Sequence, residues 1–241
     1  MSMTAPRTAF YAVGRGTGGP RDWVTLLHPP YTLWHLSYVA IGAALVPHLV
    51  WWRLGGTLLA FFLAVGVGAH ALDELRGRPL ATGIPSGMLA FAATASIAAS
   101  MAMGLIDGGL RLAPFVALGG TLVVGYNLEL FGGRLHNDLV FAAAWGAFPV
   151  AVGAYAQHWS ISPAAAVGAA AAFFLSLSQR ALSTPARDLR RRATAVAANV
   201  TFADGRCVEL RRADLLAPLE HALRALTCAV VATAVALLLA R

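Results

Sequence analysis

The stretch GVGAHALDELRGRPLATGIPSG, residues 66–87, decides how this chain is read. It begins inside one long apolar run and ends at the head of another, with His70, Asp73, Glu74, Arg76 and Arg78 between them. Charge is expensive within a bilayer, so ionisable residues gathered where two apolar runs meet mark a membrane-surface turn. They also mark the place to search for chemistry.

Working outward, the same alternation recurs along the chain. Of its 241 residues 58% are hydrophobic and only 12% charged, with a mean hydropathy of +0.67. Soluble domains carry about 25% charged residues, so the composition is that of an integral membrane protein. A helix needs about 20 apolar residues to cross the hydrocarbon core. Seven segments qualify, near 31–47, 52–73, 84–106, 110–130, 138–157, 162–180 and 215–240. Spacers as short as DGG and FGGRLHN predict antiparallel hairpins. The expected fold is an all-α transmembrane bundle of about seven spans. It forms one domain over 31–241, after an N-terminal tail at 1–30 and with an insertion near 185–212. The tail holds Arg7, Arg15 and Arg21 but no continuous apolar core, and so reads as cytoplasmic and not as a signal peptide.

All 18 basic residues are arginine. They flank apolar spans and form no soluble basic face, which argues against a nucleic-acid partner and for membrane orientation. Seven crossings put fifteen arginines on the N-terminal side and only Arg53, Arg111 and Arg241 on the other. The positive-inside rule makes the rich side cytoplasmic and the C-terminus external, in a multi-pass cell-membrane protein. On the rich side, PARDLRRRATAVAAN (185–199) predicts a basic helix at headgroup level. VTFADGRCVEL (200–210) predicts a hairpin turning at Asp204-Gly205. Cys207 and Cys228 fit neither a disulfide framework nor a metal knuckle.

Sidedness collects the polar residues. The cytoplasmic ends carry His70, Asp73 and Glu74; Tyr126, Asn127 and Glu129; His136 and Asp138; and Gln179, Ser183 and Arg187. The spacing i, i+3, i+4 lets His70, Asp73 and Glu74 share a helix face and converge on a cation. Oxygen ligands suit Mg²⁺, and imidazole admits Mn, Fe or Zn. The competing account pairs Asp73 and Glu74 with Arg76 and Arg78. Glu129 and His136, on neighbouring hairpin arms, extend the candidate metal set, and Asp138 follows them. His35 reads as a hydrogen-bonded packing residue, His28 as a helix start, and Glu220–Arg224 as a local ion pair. Trp145 is the tryptophan placed to line an interior, the others standing near span ends as interfacial anchors.

Two segments carry a family resemblance. GRPLATGIPSG (77–87) resembles the segment after the first Asp-rich motif of the UbiA superfamily of intramembrane prenyltransferases. YNLELFGGRLHNDLVFAAAWGAFPVAVGAYA (126–156) resembles that family's fourth-to-fifth span hairpin. The resemblance covers roughly 66–195. It implies a membrane-embedded enzyme that binds an isoprenoid diphosphate through Mg²⁺, for prenyl transfer or terpene cyclisation. By position it puts His70, Asp73 and Glu74 at the first metal motif. It puts Arg78 and Arg134 near the diphosphate. Beside the resemblance, the residues themselves add Asn127 and Arg187 as diphosphate candidates and Asp73, Glu74, Glu129 and Tyr126 as catalytic ones. The chain departs from the pattern in three respects. It has two fewer spans, a His in a contracted first motif, and Gln179, Ser183 and Arg187 where the second Asp-rich motif would stand.

Three readings follow. In the first, a shortened prenyltransferase or terpene cyclase uses Arg187 and Arg190–Arg192 in place of the second metal. In the second, His70, Asp73, Glu74, Glu129 and His136 form a redox or hydrolytic centre of the kind di-iron bundles use, with Fe or Mn. In the third, the protein is a non-enzymatic lipid-binding or assembly subunit whose arginines hold anionic headgroups. All three involve the membrane and a lipid, and leave the oligomeric state open.

Overall fold

The protein is described by a computed structural model over residues 8–14 and 16–241, so Arg7 and Arg15 lie outside the described residues. A short helix α1 (Pro20–Leu26) precedes α2 (Pro29–Ala44). Then α3 (Trp51–Phe61) passes through a π-helical segment, Phe62–Ala69, into α4 (His70–Leu75). Two antiparallel arms follow, α5 (Ser86–Gly108) and α6 (Ala113–Asn127). Next, α7 (Asp138–Ala142) runs through a second π-helical segment, Ala143–Ala147, into α8 (Phe148–His158). The chain closes with α9 (Pro163–Arg191), β1 (Ala198–Thr201), β2 (Cys207–Leu210) and α10 (Arg212–Leu239).

Among the described residues five continuous helices are long and apolar enough to cross a membrane: Trp51–Leu75, Ser86–Arg111, Asp138–His158, Pro163–Arg191 and Arg212–Leu239. The other two expected spans are shorter helices, α2 of 16 residues and α6 of 15. The all-α bundle of the sequence is present, with five helices of spanning length among the described residues where seven were expected.

The centre of the bundle is built on close backbone approach. A Cβ on Gly42 of α2 would lie 2.1 Å from the Val150 carbonyl oxygen, and one on Gly153 of α8 would lie 2.3 Å from that of Val39. Only glycine permits this crossing, the small-residue device by which apolar helices gain van der Waals contact where no hydrophobic force separates them from lipid. Gly146, in the second π segment, approaches the Ala172 carbonyl of α9 in the same way. Trp34, Tyr38, Val150, Ala172 and Val230 fill the space around the crossing.

Two local expectations need correction. The basic stretch from Pro185 is no separate surface helix, because α9 continues through Pro185 to Arg191. Its last turns are held by the buried Ala186 and by Arg190, which pairs with Glu220 of α10. That pair also takes Glu220 away from Arg224, whose guanidinium instead lies 5.0 Å from the Phe10 ring centroid. The hairpin agrees with its reading: β1 and β2 pair antiparallel, Ala198 with Leu210 and Thr201 with Cys207, and Gly205 takes the positive φ of the turn.

The described part of the N-terminal segment folds back onto the bundle. The fully buried Asp22 carboxylate accepts hydrogen bonds from the amides of Gly16, Gly18 and Gly83. Thr25 Oγ1 accepts from Val13 and Gly14. These bonds tie the segment to the α4–α5 loop and carry residues 8–11 over the end of the bundle.

Candidate functional site

A polar cavity of about 150 Å³ lies under that segment. Tyr31, Trp34 and His35 of α2 line it, as do His70 and Asp73 of α4, Tyr126 and Asn127 of α6, and His136. From α9 come Gln179, Ser183 and Arg187, with Arg180, Arg190 and Arg191, and Thr8–Tyr11 form the roof. The four-residue spacing of Gln179, Ser183 and Arg187 puts them on one helical stripe, continuous with the buried Ala172 and Ser176. These three positions therefore face the cavity with an amide, a hydroxyl and a guanidinium.

A second cavity, about 580 Å³, lies deeper and is mostly apolar. Phe61, Ala64, Ile97, Met101, Phe115, Leu122 and Phe148 are among its walls. Val65 and Trp145 line both cavities, and each belongs to one of the two π-helical segments. Such turns occur frequently at functional sites because they redirect side chains out of the α-helical register.

The acidic candidates separate sharply. Asp73 lines the polar cavity and has no hydrogen bond or ion pair among the described residues. Glu74, its neighbour, is fully buried and turned away. Its carboxylate accepts from the amides of Leu80 and Thr82 at 3.0 and 2.8 Å and from the Thr82 hydroxyl at 2.8 Å. The cause is local: the helix ends at Arg76 and the following loop curls back, offering its amides to the residue about 100° around the helix from Asp73. Arg78 serves the same loop, donating to the carbonyls of Thr82 and Ile84 and to Ser86 Oγ, and does not line the cavity. Glu129 pairs with Arg76 at 2.7 Å, and Asp138 with Arg180 at 2.8 Å. Arg134 is exposed and outside the lining. Asn127 lines the cavity while donating to the Val123 carbonyl at 2.7 Å. Among the described residues no three His, Cys, Asp or Glu side chains form a metal-holding group. Of the six residues read as metal ligands, His70, Asp73 and His136 line one cavity, and Glu74, Glu129 and Asp138 do not.

Imidazoles and phenols complete the site, several of them unforeseen in the sequence. The His28 and His70 rings stack with centroids 4.1 Å apart, and Tyr11 Oη lies 2.8 Å from His28 Nδ1. Burial, followed by the neighbouring His70, holds His28 well below the usual imidazole range and therefore neutral, while burial raises the Tyr11 phenol. His136 stacks on Tyr126 at 4.4 Å. His28 Nε2 and Tyr126 Oη are buried without a hydrogen-bond partner. No apolar period or motif marks Tyr11 or His28 for this role; the N-terminal segment is held over the cavity by the Asp22 and Thr25 bonds, by Thr8 bonding to Leu80 and Arg191, and by Ala9 and Ala12 packing on Leu80.

The arginines divide as the carboxylates do. Arg180 and Arg190 are paired with Asp138 and Glu220. Arg187 donates to Thr184 Oγ1 at 3.3 Å and Arg191 to the Thr8 carbonyl at 3.0 Å, and neither has a carboxylate partner among the described residues. Among the described residues the cavity thus presents two guanidiniums without a close carboxylate partner, and the Asp73 carboxylate without an ion pair, beside an apolar chamber. That arrangement suits an anion with a hydrocarbon tail.

In comparisons with known proteins, the chain matches no family model, no curated protein and no solved structure.

Proposed function

We propose that this is a seven-span membrane enzyme of UbiA-like type that binds an isoprenoid diphosphate from the cytoplasmic side, for prenyl transfer or cyclisation. One observation carries the reading: the arginine-lined polar cavity and the apolar chamber adjoin at Val65 and Trp145, which line both, the adjacency that an amphipathic molecule spanning them requires. The diphosphate lies against Arg187 and Arg191, by charge-assisted hydrogen bonds suited to phosphate oxygens. The hydrocarbon extends past Trp145 among Phe61, Met101 and Phe148. Basic groups at the leaving diphosphate stabilise charge that grows as the allylic C–O bond breaks, and the dry chamber keeps water from the cation. The fifteen-to-three arginine asymmetry supports a cytoplasmic location for this cavity.

Mg²⁺ fits the site in a restricted way. It is commonly bound by one or two carboxylates together with substrate phosphates, and Asp73 is the unpaired carboxylate in the cavity. Held there, the ion would neutralise part of the leaving-group charge. A di-iron centre needs several carboxylates together, and Glu74, Glu129 and Asp138 are bonded elsewhere. Of the five residues in the redox reading, His70, Asp73 and His136 remain in the cavity, and Glu74 and Glu129 are bonded elsewhere.

The test is binding and turnover of farnesyl diphosphate by purified protein in nanodiscs, with farnesol as the uncharged control. Saturable binding of the diphosphate well above farnesol, with Mg²⁺-dependent release of inorganic diphosphate, supports the proposal. Binding without release leaves a lipid-binding subunit, and equal binding of both ligands removes the diphosphate site.

A further inference from the structure

The hairpin between α9 and α10 carries a sorted surface that takes no part in the cavity. Its register sets Ala198 opposite Leu210 and Val200 opposite Val208. One step further Phe202 stands opposite Arg206, whose carbonyl accepts from the Phe202 amide at 2.8 Å. Residues directly opposite share a face, and successive residues alternate. One face therefore holds Ala198, Val200, Phe202, Val208 and Leu210 with Arg206, and the other holds Asn199, Thr201, Cys207 and Glu209. The Arg206 guanidinium lies 4.2 Å from the Phe202 ring centroid, and Asp204 in the turn stands off at 4.0 Å. A cation thus sits on the apolar face, while Glu209 sits on the polar one.

The bundle leaves the outer half of the apolar face uncovered, Val200 and Phe202 being 37% and 41% exposed. A two-stranded hairpin alone is marginal in water. Its tethers point to what covers it. Both α9 and α10 are long and apolar enough to cross a membrane, and Arg212, which opens α10, closes the base of the loop by donating to the Ala193 and Thr194 carbonyls. The 28 residues of α10 are apolar to Ala240 at the far end. At about 42 Å against a hydrocarbon core of about 30 Å, the helix projects about 12 Å at its Arg212 end. The hairpin measures about 20 Å from base to tip, long enough to fold back across that height. Arg192 and Arg211, both exposed, flank its base.

We infer that this hairpin docks on the membrane surface at the arginine-rich end, with Val200 and Phe202 in the headgroup region and Arg206 on the phosphates of anionic phospholipid. Apolar side chains with a cation among them match such a surface in both respects. Two helices of spanning length hold the hairpin beside the bilayer, where its effective concentration toward lipid is high. None of its residues lines the polar cavity, so the docking is independent of the diphosphate site.

Nitroxide labels on the full chain in nanodiscs read the two faces separately. In a Cys207→Ser, Cys228→Ser background, Val200→Cys puts a label on the apolar face and Asn199→Cys puts one on the polar face of the same strand. In discs of phosphatidylcholine with phosphatidylglycerol, the label at 200 should collide mainly with oxygen, and the label at 199 mainly with a water-soluble nickel chelate. Arg206→Gln should lower the docked-to-free ratio of the label at 200 about fivefold in these discs, the scale of one arginine at an anionic surface. In pure phosphatidylcholine the same substitution should change nothing. Equal nickel contact at 199 and 200 overturns the docking. Shielding of the label at 200 from both oxygen and nickel assigns a protein occupant, a second copy or another chain, and overturns it as well. Equal docking in the two disc compositions overturns the choice of an anionic surface.

Discussion

The two ends of the bundle use arginine in opposite ways. At the N-terminal end, carboxylates assign arginines to fixed places: Glu129 holds Arg76, Asp138 holds Arg180, and Glu220 holds Arg190. What remains over the cavity is Arg187 and Arg191, facing Asp73. At the other end, Arg53 and Arg111 both lie over the Trp159 ring, at 4.7 and 5.3 Å, and Arg53 donates to the Gln157 carbonyl at 3.0 Å. There an indole takes the role of the carboxylate, and the guanidiniums anchor the helix ends beside the outer walls of the apolar chamber at Trp52, Asp107 and Leu112. The difference separates structural charge from available charge. A cation already satisfied by a carboxylate or an indole fixes the fold, and a cation satisfied only by a hydroxyl or a carbonyl can be recruited by a ligand.

The largest expected effect belongs to Asp73. Asp73→Asn should lower prenyl-product formation by about 100-fold or more, because stabilising developing charge is usually the largest catalytic contribution, while the thermal transition stays where it was. Product formation at the wild-type rate would return Asp73 to the same structural class as its neighbour. Glu74→Ala reverses the pattern. Removing a fully buried carboxylate strands two backbone amides, costing on the order of 2–3 kcal/mol of stability. Detergent thermal unfolding reads this, and an unshifted midpoint would break the contrast between adjacent acids. Arg187→Ala comes next, with diphosphate affinity about tenfold weaker, the loss of a charge-assisted hydrogen bond, and calorimetric titration as the measure. The smallest change is Arg53→Gln, which should leave diphosphate affinity unaltered and reduce stability by about 0.5–1 kcal/mol, the scale of a cation–π contact. A matching loss of affinity in Arg53→Gln and Arg187→Ala would erase the distinction between the two ends.

Much of the architecture was legible because its causes are local. Apolar run length predicts helices, and Asp204-Gly205 predicts the hairpin turn. Helical spacing puts His70 and Asp73 on a shared face, and both line the cavity, as do the candidates His136 and Arg187. Glu74 was grouped with them on helical spacing, which says nothing about the amides of Leu80 and Thr82 returning from six and eight residues downstream. Glu129 and Asp138 were grouped by sidedness alone, and sidedness does not reveal which arginine a carboxylate meets. His35 was read as packing and does bond to a carbonyl; that the carbonyl is Trp145, 110 residues away, gives its other nitrogen a direction.

By itself the sequence determined that this chain is a helical bundle with helices able to cross a membrane, since the cost of unburied apolar length and buried charge is settled residue by residue. It also determined that polar residues collect at the arginine-rich ends of the helices. Only the tertiary structure decided which of those residues share a cavity. That depends on close crossings such as Gly42 against Val150, on π-helical segments that turn Val65 and Trp145 toward two cavities at once, and on an N-terminal segment folded over the opening. Each is a long-range contact, and the partner of a long-range contact is chosen by packing in three dimensions, which no local pattern of residues records.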